Sequence, residues 1–220
     1  MSMGSVEIVR IGQAMEGRLR EISDLHRASI PSGFLTSLGQ AALSAVYRAI
    51  IRSPHAFMLV ALQDDRCVGF LAASLSTRRV QLDIMATSWR QLAPAVLRQG
   101  VRPRVWLGIA ELLTYTAKSR QRVATPAAEI LNFCVDPSCR GAGIGGALFR
   151  QMSLEYAMRD VREISIVTGA EQLAAQRLYE NRGAVRIGEV LVHRGARSVV
   201  YSYTVPQESD HDRPKNFRYA

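Results

Sequence analysis

The chain has 220 residues, 48% hydrophobic and 21% charged, a length and composition suited to one well-buried soluble domain rather than two. No apolar run reaches the length of a membrane span, and residues 1–12 lack the basic-then-apolar order of a secretory signal. Cys67, Cys134 and Cys139 contain no CxxC pair, which argues against a disulfide framework and a zinc site, so no metal and a reducing cytoplasm are expected. The formal net charge of +9 is unevenly spread: between Arg78 and Arg122 nine basic residues meet only Asp83 and Glu111, a net of +7.

Val6 to Ile11 alternates weakly and stops at Gly12, as a half-buried strand would. Leu19, Ile22 and Leu25 then fall at helical spacing over about Arg18 to Ser29, closed by Pro31. Leu43, Val46, Tyr47, Ile50 and Ile51 form a clearer helical stripe, halted before Pro54. Phe57 to Leu62 and Cys67 to Ser74 flank Gln63-Asp64-Asp65-Arg66, a hairpin signal.

The basic segment reads as helical. Trp89, Leu92 and Val96 share a face, with Pro94 expected to start or kink that helix. Val105, Ile109, Leu112 and Leu113 predict a second helix beyond Gly100 and Pro103. Ala128 to Val135 is an apolar strand interrupted by Asn132 and ended by Asp136-Pro137. A glycine-rich turn, a helix to about Asp160, a buried strand Glu163 to Thr168 and a short helix Glu171 to Asn181 follow. Ala184 to Leu191 and Ser198 to Val205 read as the last strands, and residues 206–220 as a loose tail on a single domain of residues 1–205. This order predicts a mixed α/β sheet with one central crossover.

The stretch from Val135 to Leu148 sets a buried strand, a short turn and a helix start in immediate succession. A helix N-terminus has unpaired N–H groups and a positive partial charge, which suits a phosphate, and glycines there let one approach closely. A P-loop fails because no Gly-Lys-Ser/Thr follows. Gly141, Gly143 and Gly146 satisfy GxGxxG literally, but Asp136 to Arg140 separates the strand from the first glycine. The next strand also ends at Thr168, where a dinucleotide fold needs an acid.

Arg140-x-x-Gly143-x-Gly145, directly after Val135-Asp136-Pro137, resembles the coenzyme A pyrophosphate motif of the GNAT superfamily. A second stretch is similar to the family's Asn-x-x-Ala-x-x-Leu-Tyr-x-x-x-Gly-Phe: Gln172-x-Ala174-Ala175-x-x-Leu178-Tyr179-Glu180-x-x-Gly183-Ala184. The resemblance covers about Ala128 to Ala184. It implies the α/β fold of that superfamily, the acyl-CoA N-acyltransferase fold, with a mixed central β-sheet flanked by helices. A helical insertion, about residues 78–125, would lie here between the third and fourth strands.

The resemblance further implies that acetyl-CoA lies in a V-shaped opening between the strands ending at Val135 and Thr168. Backbone groups of Phe133, Cys134 and Val135 would pair with its pantetheine. Arg140, Gly141, Ala142, Gly143, Ile144, Gly145 and Gly146 would form the pyrophosphate turn, and Gln172 would stand for the usual asparagine. Tyr179 matches the family's general acid, which returns a proton to the departing thiolate; the competing reading is a phenol that only packs its helix. Glu129 is the candidate base for the amine, against a plain carboxylate at a solvated strand start. His26, as a helix-face residue, and His193 are weaker candidates. Cys134 reads more readily as a small buried hydrophobe than as an acetyl carrier.

The expected reaction is direct N-acetylation of a small-molecule amine. Acetylation of a protein N-terminus or lysine, and a non-catalytic acyl-CoA-binding module, are the alternatives. Family members that acetylate bacterial ribosomal-protein N-termini typically have a glutamate where Val167 stands, which disfavours that acceptor. The long basic insertion is loosely similar to enzymes acting on small molecules or surface sugars, and its charge suits an anionic acceptor such as an amino sugar. The competing readings are a solvated cap, with Lys118 and Arg120 offsetting a helix dipole, and peripheral membrane contact through Trp89 or Trp106. No nucleic-acid motif accompanies the charge, so no such partner is expected. A monomer or homodimer is expected.

Overall fold

The computed structural model describes residues 5–31, 34–37, 39–98, 125–192 and 196–207. Strands β1 (Glu7–Ile11), β2 (Ala56–Gln63), β3 (Arg66–Ser74), β4 (Glu129–Val135), β5 (Glu163–Gly169), β6 (Val185–Val192) and β7 (Ala196–Thr204) form a 7-stranded sheet in the order β1-β2-β3-β4-β5-β7-β6. Every neighbouring pair is antiparallel except β4 and β5. A 3-10 turn, Gln13–Arg18, leads into α1 (Leu19–Ser29). The other helices among the described residues are α2 (Phe34–Ser37), α3 (Gln40–Arg52), α4 (Thr77–Arg98), α5 (Ile144–Ala157) and α6 (Leu173–Glu180). This is the mixed, helix-flanked sheet expected from the sequence.

The unbroken apolar run of β2 has a simple cause: the strand is covered on both faces. Phe57, Leu59 and Ala61 enter one core with Leu71, Phe149, Met152 and Tyr156 under α5. Met58 and Val60 enter the other, with Ile22, Leu43, Tyr47, Phe70 and Val80 under α1, α3 and α4. Leu59 is fully buried, and truncating it to alanine is expected to cost about 2–5 kcal/mol. Between β2 and β3, Asp64 and Asp65 both take positive φ (48° and 60°), the twist that a two-residue hairpin turn demands. Arg18 donates to the Asp65 carbonyl at 2.8 Å and to its carboxylate, fixing that turn to the start of α1.

One irregularity matters for the site. Along β3 and β4, Ala72 pairs with Asn132 and Ala73 with Ile130, so Leu131 is an extra residue on β4. Such a bulge rephases the side chains that follow. Ile130 and Phe133 both face the α5 core, while Leu131 and Cys134 face the core under α1 and α3.

The segment after β3 corrects one expectation. A single helix runs from Thr77 to Arg98 and passes through Pro94 rather than starting there. The proline removes one N–H bond in a helix that begins 17 residues earlier and is already packed along α3. Val80 is buried, and the Ser88 hydroxyl donates to the Ala45 carbonyl at 3.2 Å. The second helix expected from Val105 to Leu113 lies outside the described residues, as do Trp106, Lys118, Arg120, His193 and residues 208–220.

Candidate active site

The parallel neighbours β4 and β5 pair at one rung only, Glu129 opposite Ser165, where the Ser165 N–H donates to the Ala128 carbonyl at 2.9 Å. Beyond that rung the strands part, leaving an opening within the sheet. The register with β3 decides which β4 groups face it. The Asp136 N–H donates to the Val68 carbonyl at 2.9 Å, and in an antiparallel ladder bonded residues alternate with outward-facing ones. Cys134 therefore turns its backbone groups to β3. Its carbonyl lies 3.3 Å from where a Gly69 Cβ would stand. Of the three residues expected there, Phe133 and Val135 turn their backbone groups to the opening and Cys134 does not.

At the wide end, the Asp136 carboxylate accepts from the Ser138 N–H (2.9 Å) and hydroxyl (2.6 Å), which holds its carboxyl below the usual range and fixes the turn Pro137–Cys139. Gly141 and Gly143 then take φ of +82° and +80°, and a Cβ at either would meet nothing within 4 Å. Both glycines supply conformation and leave space in front of α5. The helix starts on Gly143 without a side-chain cap, its first closing bond running from the Ala147 N–H to the Gly143 carbonyl at 3.0 Å. The N–H groups of Ile144, Gly145 and Gly146 have no intrahelical acceptor. Gly145 and Gly146 have ordinary φ and sit against α6 and the turn after it: a Cβ at Gly145 would lie 3.4 Å from Leu178, and one at Gly146 would meet Arg182. Arg140 is exposed and makes no ion pair among the described residues.

Tyr179 is carried on α6, 4% exposed, with its ring tilted against Phe133, Phe149 and Tyr201 at centroid distances of 6.4, 6.1 and 6.1 Å. Burial pushes its phenol well up, helped by the neighbouring Cys134 and Tyr201. Its hydroxyl has no hydrogen bond among the described residues. At the head of α6, exposed Gln172 accepts from the Thr168 hydroxyl at 2.8 Å through Oε1, which leaves its amide N–H groups free to donate. Gln176 donates to the carbonyls of Gly169 and Ala170 at 3.0 Å each and so ties α6 to the end of β5.

At the narrow end, Glu129 pairs with Ser74 and so projects toward the α1 and α3 face. Its Oε2 accepts from the Thr77 hydroxyl at 3.0 Å, and its carbonyl from the Tyr156 hydroxyl at 3.1 Å. His26 is 2% exposed, on the buried face of α1. Its Nδ1 is hydrogen-bonded to the Tyr47 hydroxyl at 2.5 Å, and burial lowers its pKa to about 4. Burial likewise pushes the Cys134 thiol up to about 12, so it stays protonated and unreactive.

The sequence model of the acetyltransferase (GNAT) family matches residues 19–184. The chain belongs to this family. Acetyl-CoA is the family's acyl donor, and the chain is an acetyl-CoA-dependent acyltransferase. A search of the curated proteins finds no match. Among solved structures, the chain is similar to a Drosophila melanogaster polyamine N-acetyltransferase, with a TM-score of 0.63 and 15% identity over 91% of this chain and 100% of that one. It is also similar to the Escherichia coli ribosomal-protein-S18-alanine N-acetyltransferase (TM-score 0.57, 11% identity, 94% and 97% covered). A third is Arabidopsis thaliana NAA60 in complex with acetyl-CoA (0.55, 15%, 91% and 99%). At these identities the likeness is one of fold, and the GNAT fold is what they share.

Three side chains of this GNAT acetyltransferase escaped the sequence reading. Thr77 and Gln176 are polar residues in helical segments, and Arg182 looks like a basic residue that closes α6. Only the tertiary fold sets them against Glu129, the end of β5 and the first turn of α5.

Proposed function

We propose that this enzyme transfers an acetyl group from acetyl-CoA to the primary amine of a small anionic acceptor, by direct attack and without an acyl-enzyme. The observation that carries this reading is the single-rung contact of β4 and β5. It leaves an opening with a phosphate-suited turn at its wide end and a carboxylate at its narrow one.

Acetyl-CoA supplies an activated thioester, an electrophilic carbonyl on a good leaving group. Phe133 and Val135 offer backbone groups to its pantetheine in the manner of an added strand, and the Gln172 amide extends that contact from the facing side. Gly141 to Gly146, with Arg140, present N–H groups and positive charge to the pyrophosphate. Glu129, held by Thr77, takes the proton that an amine must lose before or during attack. Tyr179 keeps its proton because burial disfavours the phenolate, and it donates that proton to the sulfur as the carbon–sulfur bond breaks.

The anionic acceptor is supported by Arg78 and Arg79, exposed in the first turn of α4 beside Thr77, a turn that contains no acid. A cation in that position opposes the helix dipole unless an anion joins it. The test is turnover of acetyl-CoA, read as thiol release, over a panel of anionic, neutral and cationic amines and a peptide N-terminus. An anionic amine should have the highest kcat/KM, falling as salt rises. A cationic or peptide amine preferred without salt dependence would refute the anionic acceptor.

A further inference from the structure

Arg182 follows α6 in the turn Asn181-Arg182-Gly183, half-buried, and its side chain leaves its own helix to lie on the first turn of α5. A Cβ added at Gly146 would stand 2.3 Å from one of its terminal nitrogens, too close for both to keep their places. Leu178, one helical turn earlier, covers Gly145 in the same direction. Gly146 has no positive φ, so nothing in its backbone calls for glycine, and alanine is the better helix former by about 1 kcal/mol. What glycine provides at this position is room for the arginine.

That placement is electrostatically odd. The first turn of a helix carries positive partial charge, and α5 has no acid there to offset it. The Arg182 guanidinium makes no hydrogen bond or ion pair among the described residues, and the turn before α5 carries a further cation, Arg140, whose charge acts on Asp136. The guanidinium and the helix start bring like charge to the same place. An anion seated at the helix start would be gripped from two sides, by main-chain N–H groups and by a guanidinium able to offer two parallel bonds.

We propose that Arg182 is a phosphate ligand of the bound coenzyme, set over the start of α5 by the absence of a side chain at Gly146. The inference rests on the acetyl-CoA site proposed above and assigns it a residue outside the glycine turn. Coenzyme A carries a pyrophosphate and a ribose 3′-phosphate, and either presents the chemistry that Arg182 requires.

Calorimetric titration of wild type, Arg182→Gln, Gly146→Ala and the double variant with acetyl-CoA and with acetyl-dephospho-CoA tests it. Arg182→Gln should weaken acetyl-CoA binding about 10- to 100-fold, the usual scale for one charge-assisted contact. Gly146→Ala should weaken it by displacing the guanidinium, and the double variant should be no worse than the weaker single one. If the loss vanishes with the dephospho compound, Arg182 holds the 3′-phosphate; if it persists unchanged, it holds the pyrophosphate. Unliganded Arg182→Gln should melt no lower than wild type, because an unpaired cation has been removed from a helix start. A folded Arg182→Gln with wild-type affinity for both compounds, or one that loses stability and keeps its affinity, would make Arg182 a packing residue and overturn the proposal. A wild type that binds neither compound would instead overturn the coenzyme site itself, and this inference with it.

Discussion

The Thr77 hydroxyl donates to Oε2 of Glu129 at 3.0 Å, joining the first residue of α4 to the first residue of β4 at the narrow end of the opening. Thr77 is 5% exposed and also bonded to the Ser74 hydroxyl at 2.9 Å, so the carboxylate is oriented from a rigid, buried group. Glu129→Gln is expected to lower kcat at neutral pH by about 10²- to 10⁴-fold, the range for a lost proton acceptor. The defect should shrink as pH approaches the acceptor amine's own pKa, where deprotonated amine is supplied by the solvent. Thr77→Val should cost less and Thr77→Ser should restore the rate, as pH–rate profiles of the three variants would establish.

Tyr179→Phe should lower kcat by about ten- to a thousandfold with little change in acetyl-CoA affinity. The sign of its pH dependence follows from burial. A phenol whose pKa is raised stays protonated beyond the ordinary tyrosine range, so wild-type kcat should show no fall through pH 10 from loss of the acid. Stopped-flow measurement of the chemical step decides this, and an unchanged single-turnover rate in the phenylalanine variant would reduce Tyr179 to packing.

Gly143→Glu should abolish acetyl-CoA binding, because it sets a carboxylate in front of the α5 N-terminus. Gly143→Ala isolates the conformational part, since an alanine at φ +80° costs about 1–2 kcal/mol with open space around its Cβ. Its melting temperature should drop while binding survives in weakened form. Wild-type affinity in the folded glutamate variant would place the phosphates elsewhere.

His26 ties stability to pH without touching the reaction. Its folded pKa is lowered to about 4 from an ordinary 6.5, so below pH 6.5 the unfolded chain takes up a proton that the folded one refuses. The stabilisation is complete above pH 6.5 and is lost as pH falls toward 4. Between pH 7 and 5 the loss from this residue should be about 2 kcal/mol. Urea unfolding of wild type and His26→Gln at both pH values measures it, and equal pH slopes in the two proteins would contradict the assignment.

Much of the fold was legible because the local signals agree with one another. The stripe from Leu43 to Ile51 matches α3, and the apolar runs around Asp64-Asp65 match β2 and β3. The glycine turn was legible as a unit but not in its parts. Gly141 and Gly143 serve conformation, whereas Gly145 makes room for Leu178 and Gly146 for Arg182, a distinction that depends on what α6 and the turn after it bring against them. The bulge at Leu131 had no sequence signal, because it is defined by a register with β3 and not by composition. Which β4 backbone groups face the opening depends on that register, and so Cys134 was grouped with its neighbours. His26 was legible as a helix-face residue but its hydrogen bond was not, because the partner, Tyr47, is on a different helix. Pro94 sounded a boundary that the packing of α4 on α3 overrides.

The single rung between Glu129 and Ser165 has a thermodynamic consequence for the whole molecule. The main-chain groups of Phe133 and Val135 form an unfinished edge inside the sheet, and a molecule that takes up those groups acts as its missing strand. Such a molecule stabilises the folded protein by RT ln(1 + [L]/Kd), about 2.7 kcal/mol at a hundredfold excess over Kd, which is a sizeable share of a typical domain's 5–15 kcal/mol. Amide exchange at Phe133 and Val135 should then record occupancy directly, slow when acyl donor is plentiful and fast when it is scarce. The resistance of this protein to unfolding becomes a gauge of the acyl supply around it.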